Sequence, residues 1–205
     1  VRPLPGKLDT VLMVNDNNPE LIREDGILLS TFPAADGSGL DIELNGRFDL
    51  FSHHVYAGDD DSLESTLWLA VLAAPLGEDP VELKLLEGST SLSQATRPGQ
   101  TAAPFLPLSS LLREGSDVIA AVPGSRVAGD LLKRHRAAEL SSSSWQIPPG
   151  APTTLLMLPI PVAGLDPLLN GRNLQLRLHS SGPVALATLA AKGPNNAPPA
   201  AERWK

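Results

Sequence analysis

The chain has 205 residues, no cysteine, and a net charge of −7 from 23 acidic and 16 basic residues. A chain of this length can bury a core that needs neither a disulfide nor a structural metal. Its acidic balance argues against nucleic-acid binding and against electrostatic docking to anionic lipid, because like charges repel. The longest apolar run, Leu67 to Leu76, is shorter than the roughly 20 residues of a membrane-spanning helix, so no transmembrane segment is predicted.

Six short apolar segments, each bounded by Gly, Pro, Asn, Asp or Ser, are typical of β-strands. In chain order they are GRFDLFSHHV (46–55), STLWLAVLAA (65–74), VELKLLEGS (81–89), TTLLMLPIPV (153–162), LQLRLHSS (174–181) and VALATLAA (184–191). The alternation of apolar and polar residues in the third and fifth segments gives one buried and one solvated face, as in antiparallel sheets.

The connections PLGEDP (75–80) and HSSGPV (179–184) contain the Gly and Pro of tight reversals, and they predict hairpins over Leu67–Ser89 and Asn173–Ala191. Short strands without helices between them predict an all-β fold. Its form would be an antiparallel β-sandwich, immunoglobulin-like or jelly-roll-like, as a single domain over residues 1–191.

One short helix is predicted at Ser125–Leu140, with Ser125 as N-cap, apolar residues at helical spacing and basic residues toward the end. The surrounding residues 94–145 lack clear periodicity and predict a long irregular excursion from the sandwich. Residues 192–205 are rich in Pro, Asn and Ala, which indicates a linker or tail.

The sequence predicts no cofactor and no metal site, and the stretch GDDDSLE is only a weak candidate for binding a calcium ion. The candidate ligands are Asp59, Asp60, Asp61 and Glu64. The run lacks the alternating ligands and glycine of an EF-hand, so a solvated acidic turn is the favoured interpretation. His53 and His54 cannot readily share an ion, because neighbouring strand residues point to opposite faces.

The sequence contains none of three common catalytic or nucleotide-binding motifs: it has no G-x-S-x-G elbow, no Walker loop and no G-x-G-x-x-G. Two acidic side chains could converge as a catalytic pair in any β protein with this many acidic residues, so this possibility does not distinguish the chain. The basic run Lys133, Arg134, His135 and Arg136 could grip a sulfated or phosphorylated polymer or an acidic partner, although such runs more often end a helix. The tryptophans at 68, 145 and 204 form no obvious stripe.

The tetrapeptide LNGR occurs twice, at Leu44–Arg47 and Leu169–Arg172, and a histidine follows each arginine by seven positions. Asn-Gly before an alternating apolar run predicts a tight turn at the start of a strand. Both leucines would then pack inward, and both arginines would lie at the strand mouth beside a carboxylate. In a chain this rich in Leu and Gly, coincidence explains a repeat of four residues about as well as duplication of the segment does.

Several segments together resemble a family of uncharacterised secreted cyanobacterial proteins that share a domain of unknown function. They are VRPLPGKLD (1–9), GILLSTFP (26–33), GRFDLFSHH (46–54), PGSRVAGDLL (123–132), LPIPV (158–162) and LNGR with RLHSSGPV to Val184. The resemblance implies export through a signal peptide that ends before Val1, and a longer chain with more β-rich sequence after Lys205. It implies no activity, cofactor or catalytic residue.

The first functional expectation is a non-catalytic, extracellular or periplasmic β-sandwich that binds a cell-surface protein or glycan, or joins a cell-envelope assembly that includes self-assembly. A carbohydrate-binding module, with or without calcium at Asp59–Asp61, is the alternative. A cell-wall polysaccharide hydrolase with a carboxylate pair is the third possibility. Fold alone does not separate the three.

Overall fold

A computed structural model describes residues 10–34, 40–94, 106–107, 120–121 and 123–204 of the chain. These residues form β1 Leu12–Asp16, β2 Leu21–Ile22, β3 Gly26–Ser30, β4 Leu44–Ala57, β5 Ser65–Pro75, β6 Val81–Leu92, β7 Leu106–Pro107, β8 Ala120–Ala121, α1 Pro123–Leu132, β9 Ser144–Ile147, β10 Thr153–Ile160 and β11 Leu169–Pro194. Two short 3-10 helices cover Asp60–Leu63 and Ala201–Trp204.

The 26-residue strand β11 organises the fold. Its first half, to Ser180, pairs with β4 on one side and β6 on the other, and its second half, from Val184, pairs with β3 and β5. The chain thus forms two layers that share one strand. Layer A has the order β1-β4-β11-β6-β9, with β2 also paired to β4, and layer B has the order β3-β11-β5-β10.

The inner faces of the two layers form one core. Its main cluster takes Phe48 and Leu50 from layer A, Val71 and Leu158 from layer B, and side chains from both halves of β11. Alternation places Leu174, Leu176 and Leu178 on this inner face, as the sequence predicted, because successive strand residues point to opposite sides. The predicted all-β, sandwich-like fold is confirmed.

Strand direction departs from the predicted antiparallel arrangement at one edge. β1 and β2 both pair with β4 in parallel, so the sheet is mixed. A two-residue periodicity reports burial and carries no information on the direction of the neighbouring strand. The parallel pairing puts Val14 beside Leu50 and Asp16 beside Ser52.

Both predicted hairpins are wrong. β5 pairs with β10 and β11, whereas β6 pairs with β9 and β11, so the turn between β5 and β6 carries the chain from layer B to layer A. The second predicted hairpin is the single strand β11, whose register shifts between Ser180 and Val184. Gly and Pro release a strand from its ladder equally well where the chain reverses and where it turns a corner between sheets.

The helix is shorter than predicted. It begins at Pro123 and ends at Leu132, and the φ of 54° at Arg134 places that residue in the left-handed region just after the helix. Within the predicted excursion, the structure describes this helix, the small β7–β8 pair and residues 133–145, and the rest lies outside the described residues. No helix in the described part of the chain is long and apolar enough to cross a membrane.

The predicted boundary between domain and tail lies inside β11, which continues to Pro194. The segment beyond it packs back onto the sandwich as far as Trp204, which is 3% exposed. Trp204 joins a cluster with Trp68, Leu72 and Ala191 on layer B. Trp204, within the segment whose composition indicated a linker or tail, is therefore a packing residue.

The two LNGR copies lie on paired strands, at opposite ends of the antiparallel ladder of β4 and β11. Arg172 is opposite His54, and His179 is opposite Arg47, so each arginine faces the histidine of the other copy. Each copy does begin a strand, as predicted, but neither forms the predicted turn, because residues of both copies are paired in the ladder.

The side chains of the two copies point in opposite directions. Leu44 is buried and Arg47 exposed, whereas Leu169 is exposed and Arg172 is 2% exposed. The predictions that Leu169 packs inward and that Arg172 lies at the strand mouth are wrong. Arg172 instead bridges the layers: its Nε donates to the Pro159 carbonyl of β10 at 2.8 Å, and its Nη1 donates to Thr90 Oγ1 at 2.9 Å.

The two glycines of the repeat are also unlike each other. Gly46 has a φ of +66° with open space around it, whereas Gly171 is not among the described positive-φ residues. We expect Gly46→Val to lower the free energy of unfolding by about 1–2 kcal/mol, because a branched side chain is strained in the left-handed region. Urea unfolding measures this change.

Gly46→Asn is the matched control for this substitution, since asparagine tolerates the left-handed region better than valine does. Its cost should be clearly smaller. Equal destabilisation by valine and asparagine would contradict a conformational origin, since no atom lies within 4 Å of a Cβ at this position.

Candidate functional site

A cleft opens between one edge of layer A and the neighbouring edge of layer B. The edge strand of layer A is β1 and that of layer B is β3. The opening, called the β1–β3 cleft below, has a volume of about 670 Å³. Its lining consists of Asn15, Asp16, Asn18, Ile27, Leu28, Leu29, Ser30, Phe32, Ala34 and Leu40.

Exposed apolar side chains are concentrated in the part of the chain that supplies the two edge strands. Of the eleven large hydrophobic residues that are exposed in the described chain, six lie in residues 12–42. They are Leu12, Met13, Leu21, Ile27, Leu40 and Ile42. Ile27 and Leu40 line the cleft itself. Single exposed leucines are ordinary, but a concentration of them is typical of an interaction surface.

The backbone edges of the two strands are also open. Among the described residues, β1 pairs only with β4, and β3 pairs only with β11. Near the end of β3, Leu40 N donates to Ser30 O at 3.1 Å, which closes that strand locally. The sequences LMVND and GILLS contain no Lys or Pro, the residues that usually protect an edge from pairing with another chain.

A buried polar cluster lies at the floor of the cleft, formed by Asp16 on β1 with Ser52 and His54 on β4. The exposed fractions of the three residues are 1%, 3% and 0%. Ser52 Oγ donates to Asp16 Oδ2 at 3.0 Å, and His54 Nε2 lies 3.0 Å from the same oxygen in an ion-pair contact whose angle is poor for a hydrogen bond. Parallel pairing of β1 with β4 creates this arrangement.

His54 is held on both sides of its ring. Its Nδ1 lies 2.8 Å from the carbonyl oxygen of Pro19, and its Nε2 faces the Asp16 carboxylate. Both nitrogens therefore face oxygen atoms, and the two contacts fix the orientation of the ring inside the protein.

Two buried atoms of the cluster have no hydrogen-bond partner among the described residues, Asp16 Oδ1 and His54 Nε2. Asp16 also lines the cleft. Buried polar atoms almost always have a partner, so an orphaned carboxylate oxygen beside a cavity indicates a place for a donor. An N–H group that entered the cleft would meet this acceptor.

The sequence did not single out Asp16. The available signal was the alternation in LMVND, which places Val14 and Asp16 on the same strand face, so a carboxylate follows a core residue into the interior. The expected separation of His53 and His54 is confirmed, because His54 faces inward and His53 Nε2 lies 3.4 Å from Glu20 Oε1 on the other side of β4.

The acidic run proposed for calcium is built into the turn before β5. Asp59 precedes the first 3-10 helix, and its Oδ2 lies 2.8 Å from Lys192 Nζ. This contact lowers the pKa of Asp59 and raises the pKa of Lys192. Within the described residues, no three His, Asp or Glu side chains converge as metal ligands.

The basic run Lys133–Arg136 contacts the chain itself. Arg136 Nη2 donates to Leu85 O at 3.1 Å, His135 Nδ1 lies 3.5 Å from Asp130 Oδ1, and Arg134 Nε lies 4.0 Å from Glu87 Oε1. These contacts fasten the segment after α1 to the helix and to β6. The run does not form the end of the helix, because α1 ends at Leu132 and its last turn contains no basic residue.

Two of the tryptophans share a cavity, although the sequence showed no stripe. Trp68 and Trp145 line one cavity of about 320 Å³ between β9 and β10, at the opposite side of the sandwich from the β1–β3 cleft. Glu139, Ser141 and Ser142 also line this cavity. The sequence could not reveal the arrangement, because Trp68 lies on β5 of layer B and Trp145 on β9 of layer A.

Comparison with known proteins places the chain in a family. No curated protein and no solved structure matches it. The resemblance to a family with a domain of unknown function is confirmed, while its cyanobacterial and secreted character stays a prediction. The family described as "Protein of unknown function (DUF3370)" matches residues 1–205, and the chain therefore belongs to that family.

Proposed function

We propose that this chain is a non-catalytic β-sandwich domain of the cell envelope, and that it binds a partner protein by receiving an extended apolar segment in the β1–β3 cleft. The observation that carries the proposal is the coincidence of two open strand edges, exposed apolar walls and the unpartnered Asp16 Oδ1 at the floor.

The physical basis is strand addition. An incoming extended segment gains backbone hydrogen bonds from an open edge, and its alternate side chains enter the groove between the sheets. Burial of an exposed isoleucine stabilises such a complex by about 1.5–3 kcal/mol, and Ile27 is 69% exposed. A backbone N–H of the segment is the donor that Asp16 Oδ1 lacks.

The location outside the cytoplasm is proposed on the resemblance, which implies export. An edge of this kind would be hazardous in a crowded cytosol, because unprotected strands pair indiscriminately. The same edge is useful in an assembly whose subunits meet after export.

The proposal is tested with a photoreactive benzoylphenylalanine in place of Ile27. The purified chain carrying it is mixed with isolated cell envelope and irradiated, and the products are identified by mass spectrometry. We expect one defined protein product, and we expect Ile27→Asp to weaken binding of that partner at least about tenfold, equivalent to about 1.4 kcal/mol. A product that joins two copies of this chain would identify self-assembly.

Leu132 provides the matched control, since it is 71% exposed but lies at the end of α1, away from the cleft. The photoreactive residue at position 132 should give no defined product, and Leu132→Asp should bind normally. Equal cross-linking from positions 27 and 132 would remove the β1–β3 cleft as the binding site.

Carbohydrate binding is the second candidate, and the shared cavity of Trp68 and Trp145 favours it. Indole faces stack on sugar rings, and Glu139 with the neighbouring serines could pair with hydroxyl groups. Retention on envelope polysaccharide that Ile27→Asp leaves unchanged and Trp145→Ala removes would support this cavity in place of the cleft.

A further inference from the structure

A second pocket lies on the outer surface of β4 and β11, on the opposite face of β4 from the β1–β3 cleft. Its volume is about 410 Å³, and its floor is apolar, with Phe51 and Val55 from β4 and Leu169 from β11. The end of β6 and the first turn of α1 border it through Gln94 and Gly124. Because it uses other residues than the cleft does, its ligand is independent of the function proposed above.

Gly171 lines the pocket and leaves space that a side chain would occupy. A Cβ at that position would lie 3.3 Å from Ser93 Oγ, 3.4 Å from Val55 Cγ2 and 3.8 Å from His53 Cε1. Gly171 has no described positive φ, so the backbone does not require glycine there. A methyl group at position 171 would therefore fit closely and take up part of the pocket floor.

Asn170 fixes the rim of the pocket. Its Oδ1 accepts from Ser93 Oγ at 2.9 Å and from Gln94 N at 3.0 Å, and its Nδ2 donates to Pro161 O at 2.7 Å. Ser93 Oγ in turn accepts from Gly171 N at 2.8 Å. A side chain with all of these partners holds the rim in one geometry, which reduces the entropy lost on ligand binding.

Asn173 supplies an unused acceptor to this pocket. The residue is 3% exposed, and its Oδ1 has no hydrogen-bond partner among the described residues. Its Nδ2 lies 3.5 Å from His53 Nδ1, and His53 Nε2 lies 3.4 Å from Glu20 Oε1. The pocket therefore lacks a donor beside Asn173 Oδ1.

The first turn of α1 supplies the complementary group. Gly124 belongs to this turn and lines the pocket, and the first backbone N–H groups of a helix have no partner within the helix. They favour an acceptor. An anion is a poor match, because Asn173 Oδ1 and the nearby Glu20 carboxylate would both repel it.

We propose that this pocket binds a secondary amide. Its N–H would donate to Asn173 Oδ1, its carbonyl oxygen would accept from the first turn of α1, and its alkyl group would lie on the floor over Gly171. A secondary amide has one donor, one acceptor and an apolar substituent, which are the three features that the pocket offers. N-acetylated amino sugars and peptides both carry this group.

Ligand-observed NMR on the purified chain tests the assignment with N-acetylglucosamine and with N-acetylalanine methylamide. Binding of both supports a site for the amide alone, and the tighter ligand identifies the sugar or the peptide as its source. Glucose and acetate, which lack the amide, should bind at least about tenfold more weakly. No binding of either amide, or equal binding of acetate, would overturn the proposal.

Two variants locate the site. Gly171→Ala should reduce amide binding at least about tenfold by filling the floor, and Asn173→Leu should do so by removing the acceptor. Gly77→Ala is the matched glycine control, since no atom lies within 4 Å of a Cβ there. Circular dichroism checks the fold of each variant, and unchanged amide binding in a folded Gly171→Ala or Asn173→Leu variant would refute the assignment.

Discussion

Arg172→Ala is expected to lower the free energy of unfolding by about 3 kcal/mol, the scale for removing one partner from a buried charged network. The guanidinium joins the layers through Pro159 O and Thr90 Oγ1, and Glu139 Oε1 lies 3.8 Å from it. Burial lowers the pKa of Arg172 to about 10, with Glu139 opposing the shift, so the side chain stays protonated at neutral pH. Urea unfolding monitored by tryptophan fluorescence measures the loss.

Arg47 is the natural control, because it occupies the same place in the other LNGR copy but is exposed. Arg47→Ala should change stability by no more than about 0.5 kcal/mol. Arg172→Met separates shape from charge: it fills most of the space but leaves Pro159 O and Thr90 without this donor. If Arg172→Met were as stable as the wild type, the charged contacts would contribute no net stability.

Asp16→Ala is expected to cost a similar amount, about 3 kcal/mol, because it removes the only buried carboxylate that Ser52 and His54 share. The buried imidazole would then face a void on one side. Thermal and urea unfolding both report this loss, and the folded fraction should still show the native circular dichroism of a β protein.

A double-mutant cycle with His54→Ala isolates the contact between the two side chains. We expect a coupling energy of at least about 1 kcal/mol, since the two residues are in direct contact inside the protein. His179→Ala is the control, because His179 is the exposed counterpart of His54 in the repeat. Additive effects of Asp16→Ala and His54→Ala would show that the pair acts only through packing.

The positions of strands followed from the sequence because burial alternates along them. Leu174, Leu176 and Leu178 have the predicted inward orientation, and β5 and β6 lie where the apolar segments predicted them. Partners and directions did not follow. The same Gly and Pro signals mark a reversal and a corner, so the 26-residue β11 read as two strands of a hairpin.

The LNGR copies illustrate the limit for the candidate sites. The first leucine of the copy on β4 faces the core, whereas the first leucine of the copy on β11 faces outward. A shift of one residue along a strand exchanges its inner and outer faces, so identical local sequences have different burial. Nothing within four residues encodes that shift. Asp16 and Asn173 escaped notice for the same reason, since their roles depend on long-range pairing with β4 and on the placement of α1.

The shared strand β11 has a consequence for how the chain is made. Both layers lack their central strand until residues 169–194 have been synthesised, so neither layer can close while the chain is still growing. Folding that waits for such distant contacts is slow, because loop closure precedes any gain from pairing. The nascent chain should therefore keep both layers open until residues 169–194 have left the ribosome.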